Sequence, residues 1–294
     1  MKQKVICPVC FSDQVNLYLK TYNQHGKTLL QHKEKFSYCR CTNCQTVFLT
    51  GVAFTKNYYQ QYYTFPEVTE QSSIKNKLEK FLNKKGVTKK IAVIEELVDN
   101  HKGKIHLLDI GCGAGDFLAS LDNKKYNAVG IEKDKKEYTI CKQKNLTVYN
   151  ADIYNHNFAG EKFDVITLWH VIEHIPDPHK LLKKVKTLLK KNGVLIMATP
   201  NADSLGFKYA KEKWFHLDAP RHIILYGKKG MEELSIRNGL DIKKQFSQTF
   251  EFPLDLFWSI NHLPIKYLFY PLYPLMKKMS QETITYVLIK SDEK

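Results

Sequence analysis

The chain has 294 residues, 43% of them apolar, which is enough for one large core and a small satellite unit. Its net charge of +15 suggests a polyanionic partner, yet of the 45 basic residues only Arg40, Arg221 and Arg237 are arginine. Lysine is a hydrated point charge, here spread along the whole chain, whereas tight phosphate reading favours the arginine fork; a solvated surface is the better reading.

The N-terminus, MKQKVICPVC, carries no apolar leader, and no clean apolar run of about 18 residues occurs. A cytosolic protein is expected, with its seven cysteines as thiols or metal ligands and not as disulfides.

Residues 1–50 read as a zinc ribbon. Cys7-Pro-Val-Cys10 and Cys41-Thr-Asn-Cys44 are two C-x-x-C pairs. That spacing lets both thiolates of a pair converge on one tetrahedral ion, and two pairs close its shell, so the expected zinc is structural. The polar strands between them cannot build a core alone, and metal binding would supply the missing folding free energy. Cys39 is a fifth thiol whose place in the shell the sequence leaves open.

Residues 51–104 read as a helical linker or lid. They hold Tyr58, Tyr59, Tyr62 and Tyr63, then a Lys-rich stretch in which Ile91, Ile94, Leu97 and Val98 fit one helical face.

From residue 105 the pattern is strand alternating with helix. Strands are expected at Ile105–Ile110, Ala128–Ile131, Leu146–Asn150, Phe163–Trp169, Val194–Thr199, Leu240–Ser247 and Thr283–Ile289. A helix is expected over 178–191, with Asp177 as N-cap, Pro178 in its first turn and Gly193 just past its end. This rhythm predicts a doubly wound α/β sheet with ligands beyond the carboxyl ends of its strands. The first turn, DIGCGAGDF, has Gly111, Gly113 and Gly115, where backbone can approach a ligand closely. Glu132 ends the second strand where a carboxylate reads ribose hydroxyls, and Asp152-Ile153 follows the third, where an Asp can meet an adenine amino group.

DIGCGAGDF, Glu132 and NADI together resemble motifs I, post-I and II of Rossmann-like, S-adenosylmethionine (SAM)-dependent methyltransferases. The G-x-G-x-G spacing departs from the nicotinamide fingerprint G-x-G-x-x-G. The ribbon, YYQQYY, WHVIEHIPDP and FHLDAPRH are similar to bacterial methyltransferases of polysaccharide or secondary-metabolite pathways. The resemblance implies a seven-stranded methyltransferase sheet over 105–294, with Gly111 and Gly113 at the methionine end of SAM. It further implies Asp109 at the SAM amino group, Glu132 at ribose and Asp152 at adenine.

In WHVIEHIPDP, His170, Glu173 and His174 form H-x-x-E-H, a zinc-protease spacing in reverse. A protease would need both histidines on one helix, and the fourth strand ends only at Trp169. The motif resembles the E-x-x-E-H of ubiquinone-pathway and small-RNA O-methyltransferases, which can bind a divalent ion, with His170 replacing the first Glu. Three roles stay open here: a catalytic metal, an unmetallated histidine base, or loop histidines that only hydrogen-bond. The FHLDAPRH stretch adds His216 and His222 as catalytic candidates. Arg221 and Asp218 there are candidates for clamping the acceptor, or for pairing with each other.

Between the last two strands, 249–280 inserts eight aromatics and four prolines, too broken for a membrane span. A lid, a membrane-surface segment and ordinary packing all remain open. The sequence leads to SAM-dependent methyl transfer to a hydroxyl of a small-molecule, sugar or lipid-linked acceptor. The alternatives are an RNA methyltransferase and a SAM-binding module without turnover.

Overall fold

The computed structural model describes residues 4–22, 35–52, 74–98, 101–247, 255–260, 271 and 273–292. The tyrosine cluster at 58–63 and most of the 249–280 insertion lie outside these residues.

A small antiparallel sheet comes first, built from β1 (Val15–Tyr22), β2 (Lys35–Cys41) and β3 (Val47–Thr50). Both cysteine pairs sit in matching turns. Phe11 N donates to Cys7 O at 3.0 Å and Gln45 N to Cys41 O at 3.1 Å. Phe11 and Gln45 are left-handed, at φ 62° and 63°, so each turn reverses one residue after its second cysteine. Helix α1 (Ile74–Val98) follows, with Ile94 fully buried.

The main sheet contains β4 (Ile105–Ile110), β5 (Tyr126–Glu132), β6 (Val148–Asn150), β7 (Phe163–Trp169), β8 (Leu189–Pro200), β10 (Leu240–Ser247) and β11 (Thr283–Lys290). Its order is β10-β11-β8-β7-β4-β5-β6. The pairs joining β4 through β8 are parallel, and β11 runs antiparallel to both neighbours. The strand order reverses between β4 and β7, the switch point where doubly wound sheets open a crevice. β4, β7 and the Val194–Pro200 part of β8 are buried on both faces, which is why these central strands read as near-continuous apolar runs. Leu108, Ile110, Leu195 and Met197 pack on one face with the ribbon core, and Ile105, Leu107, Ile196 and Ala198 on the other with α1.

The remaining short strand, β9 (Ile224–Leu225), joins the ribbon sheet by pairing with β3. Ribbon and main sheet therefore share one hydrophobic core, which includes Cys7, Phe48, Trp214 and Leu234.

One expected element changes. The helix after β7 runs Pro178–Leu188, and β8 starts at Leu189. Asp177 does cap it, accepting from Lys180 N at 2.9 Å, with Pro178 in the first turn. Gly193 lies inside β8 and ends no helix; a Cβ there would stand 2.8 Å from Phe163 O, so the residue permits close strand approach.

Candidate functional site

The turn after β4 folds back on β5. Gly111 is left-handed at φ +69° and donates to Ile131 O at 2.8 Å; a Cβ on it would sit 2.8 Å from Val171 Cγ2. Gly113, at φ +53°, donates its N–H to Glu132 Oε2 at 3.0 Å. Its own Cβ direction meets only Glu137, at 4.0 Å, so the backbone there is open to a ligand. Gly115 differs, because a Cβ would lie 2.4 Å from Leu146 Cδ1; it serves packing. Glu132 Oε1 accepts from Asp134 N at 2.8 Å, so one carboxylate ties the glycine loop to the end of β5. Asp152 is exposed and accepts from Tyr154 N at 2.9 Å, while Ile153 beside it is buried.

Asp109 is 2% exposed and accepts from Thr167 Oγ1 at 2.6 Å. Burial pushes its carboxyl up to about 7, against the opposing pull of the Thr167 hydrogen bond and the Lys90 charge. Lys90 on α1 also reaches the Trp169 ring, its Nζ 4.7 Å from the centroid.

The segment leaving β7 brings three candidates together. His170 is a left-handed non-glycine residue, φ +56°, and its Nδ1 lies 3.2 Å from Glu173 Oε1. Such a backbone at a strand end costs energy, and strain of this kind concentrates at functional sites. Glu173 is fully buried, and its Oε2 has no hydrogen-bond partner among the described residues. Burial opposes its ionisation, but the His170 hydrogen bond and the nearby His170, His174 and His222 rings hold its carboxyl down at about 2. His174 Nδ1 lies 2.9 Å from Arg221 O and His222 Nδ1 lies 2.7 Å from His216 O. Each Nδ1–H therefore donates to a carbonyl, which turns each Nε2 into the available ligand atom. One ligand atom each from Glu173, His174 and His222 falls within 4.8 Å of the others. Two imidazoles and a buried carboxylate oxygen lacking a donor make a fitting set for a divalent transition ion. Burial lowers the basicity of His174, to about 4, and that of His222, so both stay neutral near pH 7.

The other candidates divide. Arg221 forms an ion pair with Asp218, the second of the two roles its sequence left open. His216 Nε2 lies 2.9 Å from Asp255 Oδ2, and Asp255 also pairs with Lys277. His216 is thus tied to the insertion and stands outside the Glu173 cluster.

Cys7, Cys10, Cys41 and Cys44 are all buried, with their sulfurs within 4.8 Å of one another. The Cys7–Cys44 and Cys10–Cys41 sulfurs are 3.6 and 3.4 Å apart, near the ~3.8 Å edge of a tetrahedron with ~2.3 Å zinc–sulfur bonds. Cys39 instead lies 3.8 Å from Thr50 Oγ1 and is not part of the cluster.

Residues 82–245, more than half the chain, match the Methyltransferase domain family. The chain belongs to that family. The methyltransferase fold is also that of two solved structures. One is magnesium protoporphyrin IX methyltransferase from Synechocystis with bound SAH, 14% identical over 79% of this chain and 93% of that one, TM-score 0.50. The other is a plantazolicin methyltransferase with SAH, 14% identical over 75% of this chain and 92% of that one, TM-score 0.51. Among curated relatives, the ubiquinone biosynthesis O-methyltransferase of Pelagibacter ubique is 28% identical, covering 54% of this chain and 70% of that protein. Its Coxiella burnetii counterpart is 30% identical over 37% of this chain, and the chain spans about half of that relative's length, 48%.

Two residues of this candidate site carry no sequence motif. Thr167 meets Asp109 only because β4 and β7 pair with Asp109 opposite Thr167. A polar residue among the four apolar ones of VITLW was the available signal. Tyr38, far upstream, donates to His222 O at 2.7 Å, and no local signal pointed to it.

Proposed function

We propose that the protein binds SAM at the carboxyl end of β4 and transfers its methyl group to a hydroxyl oxygen of a small-molecule acceptor. The observation that carries this reading is that the segment leading from β7 to the Glu173 cluster packs on the glycine loop, with Val171 in the Cβ direction of Gly111. The O-methyltransferase names of the relatives support oxygen as the accepting atom.

In this reading the ionised Asp109 pairs with the ammonium group of SAM. Glu132 uses its remaining lone pairs for ribose hydroxyls, and Asp152 meets the adenine amino group. The open backbone at Gly113 admits the methionine end. Transfer is an in-line displacement: the acceptor oxygen bonds to the methyl carbon as the carbon–sulfur bond breaks, and that electron pair neutralises the sulfonium. Positioning supplies much of the rate. His170, oriented through Nδ1 by Glu173, receives the hydroxyl proton on Nε2. Glu173, His174 and His222 would hold a divalent ion. Such an ion supplies Lewis-acid polarisation of the acceptor hydroxyl. The four buried cysteines would hold one structural zinc. Sugar and lipid-linked hydroxyls fall within the same proposal, in a cytosolic setting that suits seven free thiols. Among the described residues no helix is long and apolar enough to cross a membrane.

The test pairs calorimetric SAH binding with S-adenosylhomocysteine release from SAM in the presence of host small-molecule extract. His170→Ala should keep SAH affinity within about twofold while turnover falls roughly 10²–10⁴-fold. Unchanged turnover removes His170 from proton transfer; wild-type protein that fails to bind SAH removes the whole reading.

A further inference from the structure

The Glu173 cluster is assembled from two segments with different support. Glu173 and His174 hang from the end of β7 in the main sheet. His222 lies outside any strand or helix, between a short turn ending at Lys213 and β9. His222 is held within its own loop, its N–H donating to Asp218 O at 2.8 Å and its Nδ1 lying 2.7 Å from His216 O, and it is tied to the ribbon through its carbonyl. Tyr38, fully buried on β2, donates its hydroxyl to His222 O at 2.7 Å. Leu49 N on β3 donates to Ile223 O at 2.8 Å, and Ile223 N reaches Glu173 O at 2.7 Å. Val47 and Phe48 then pair with Leu225 and Ile224. The first cysteine turn is fixed too, since His179 Nε2 lies 2.9 Å from Val9 O. Tyr38 shares its strand with Cys41, one of the four clustered thiols.

We propose that the cysteine ribbon is a positioning element for the divalent-ion centre, with Tyr38 the residue through which it sets His222. The claim rests on reading Glu173, His174 and His222 as that centre. Metal ligands tolerate displacements of only about 0.2 Å, and partners that orient ligands typically control affinity 10- to 100-fold. The ring of His222 is fixed through His216 O and its backbone through Tyr38. Tyr38 touches neither cofactor nor acceptor; it acts through His222.

The experiment titrates Mn²⁺ into the full chain, purified with zinc in its cysteine site, and follows loss of the free-ion EPR signal. Soft thiolates discriminate against Mn²⁺, so the titration reports on the Glu/His centre. Tyr38→Phe keeps the buried ring and removes only the donor. Its Mn²⁺ dissociation constant should rise roughly tenfold, with zinc content and SAH affinity unchanged. Tyr22→Phe, which removes an exposed hydroxyl elsewhere in the ribbon, should behave as wild type. His222→Ala should lose the Mn²⁺ site. Wild-type Mn²⁺ affinity in Tyr38→Phe would overturn the proposal. A second readout does not depend on the ion: long-range ¹H–¹⁵N spectra of the imidazole nitrogens in protein without Mn²⁺. Should wild type and His222→Ala bind Mn²⁺ alike, the centre itself is refuted, and this spectrum decides the positioning. A His222 signal displaced in Tyr38→Phe but not in Tyr22→Phe supports Tyr38 control; an unmoved signal refutes it.

Discussion

Thr167 Oγ1 donates to Asp109 Oδ1 at 2.6 Å across two adjacent parallel strands. This bond keeps a carboxylate usable in a place that burial would otherwise neutralise. The Asp109 pKa is raised by burial from 3.8 to about 7. A carboxyl with a raised folded pKa stabilises the fold fully below its unfolded pKa and loses that contribution as pH rises through the folded value. Stability of the ligand-free protein should therefore fall between about pH 4 and 7, and Asp109→Asn should flatten part of that slope in urea titrations. Glu282, raised by burial to about 7, would retain the rest. Affinity for SAH should run the other way, tightening as Asp109 ionises through pH 7, with the trend lost in Asp109→Asn.

Glu132 satisfies two backbone donors, Gly113 N and Asp134 N, while half-buried. Removing it leaves both donors and the ribose hydroxyls without a partner. Glu132→Ala should weaken SAH binding by roughly 10–100-fold, equivalent to about 1–3 kcal/mol, and calorimetry reads this directly. Wild-type affinity would place the ribose elsewhere.

The cysteine cluster predicts one zinc per chain. Cys7→Ser with Cys10→Ser should abolish zinc in elemental analysis. It should also free β3 from β9, so the protein loses turnover as well as stability. Full zinc content in the double variant would refute the four-thiolate site.

Trp214 Nε1 donates to Glu282 Oε2, and both residues are buried. Trp214→Phe removes a donor from a buried carboxyl and should destabilise by about 1–3 kcal/mol. The cost should be larger at pH 8 than at pH 6, because the charged form of Glu282 needs that donor. Equal costs at both pH values would show that the indole contributes only by packing.

Strands buried on both faces were the most legible part of the fold. Ile105–Ile110 and Phe163–Trp169 begin and end where their residues suggest, and so does the more exposed edge strand Leu240–Ser247. Asp177 as a cap was equally plain, since capping is local chemistry. The boundary at Leu188 was not. Leu189 continues the apolar face of the preceding helix, so periodicity ran past the true end, and only pairing with β7 turns 189–193 into strand. In the site, the convergence of Glu173 and His174 followed from the motif itself. The approach of His222 depends on chain pairing across nearly fifty residues, and Tyr38 on a strand far upstream. The pairing of His216 with Asp255 was hidden for the same reason, because that partner belongs to the insertion.

The central claim is methyl transfer from SAM to oxygen at this site. Its most direct test is to incubate the protein with SAM bearing a trideuterated methyl group and a host small-molecule extract, then locate the label by mass spectrometry. The account predicts a labelled methyl ether or ester, formed together with S-adenosylhomocysteine and lost with His170→Ala. Label on nitrogen or carbon, or bound SAM that yields no S-adenosylhomocysteine with any fraction, would contradict it.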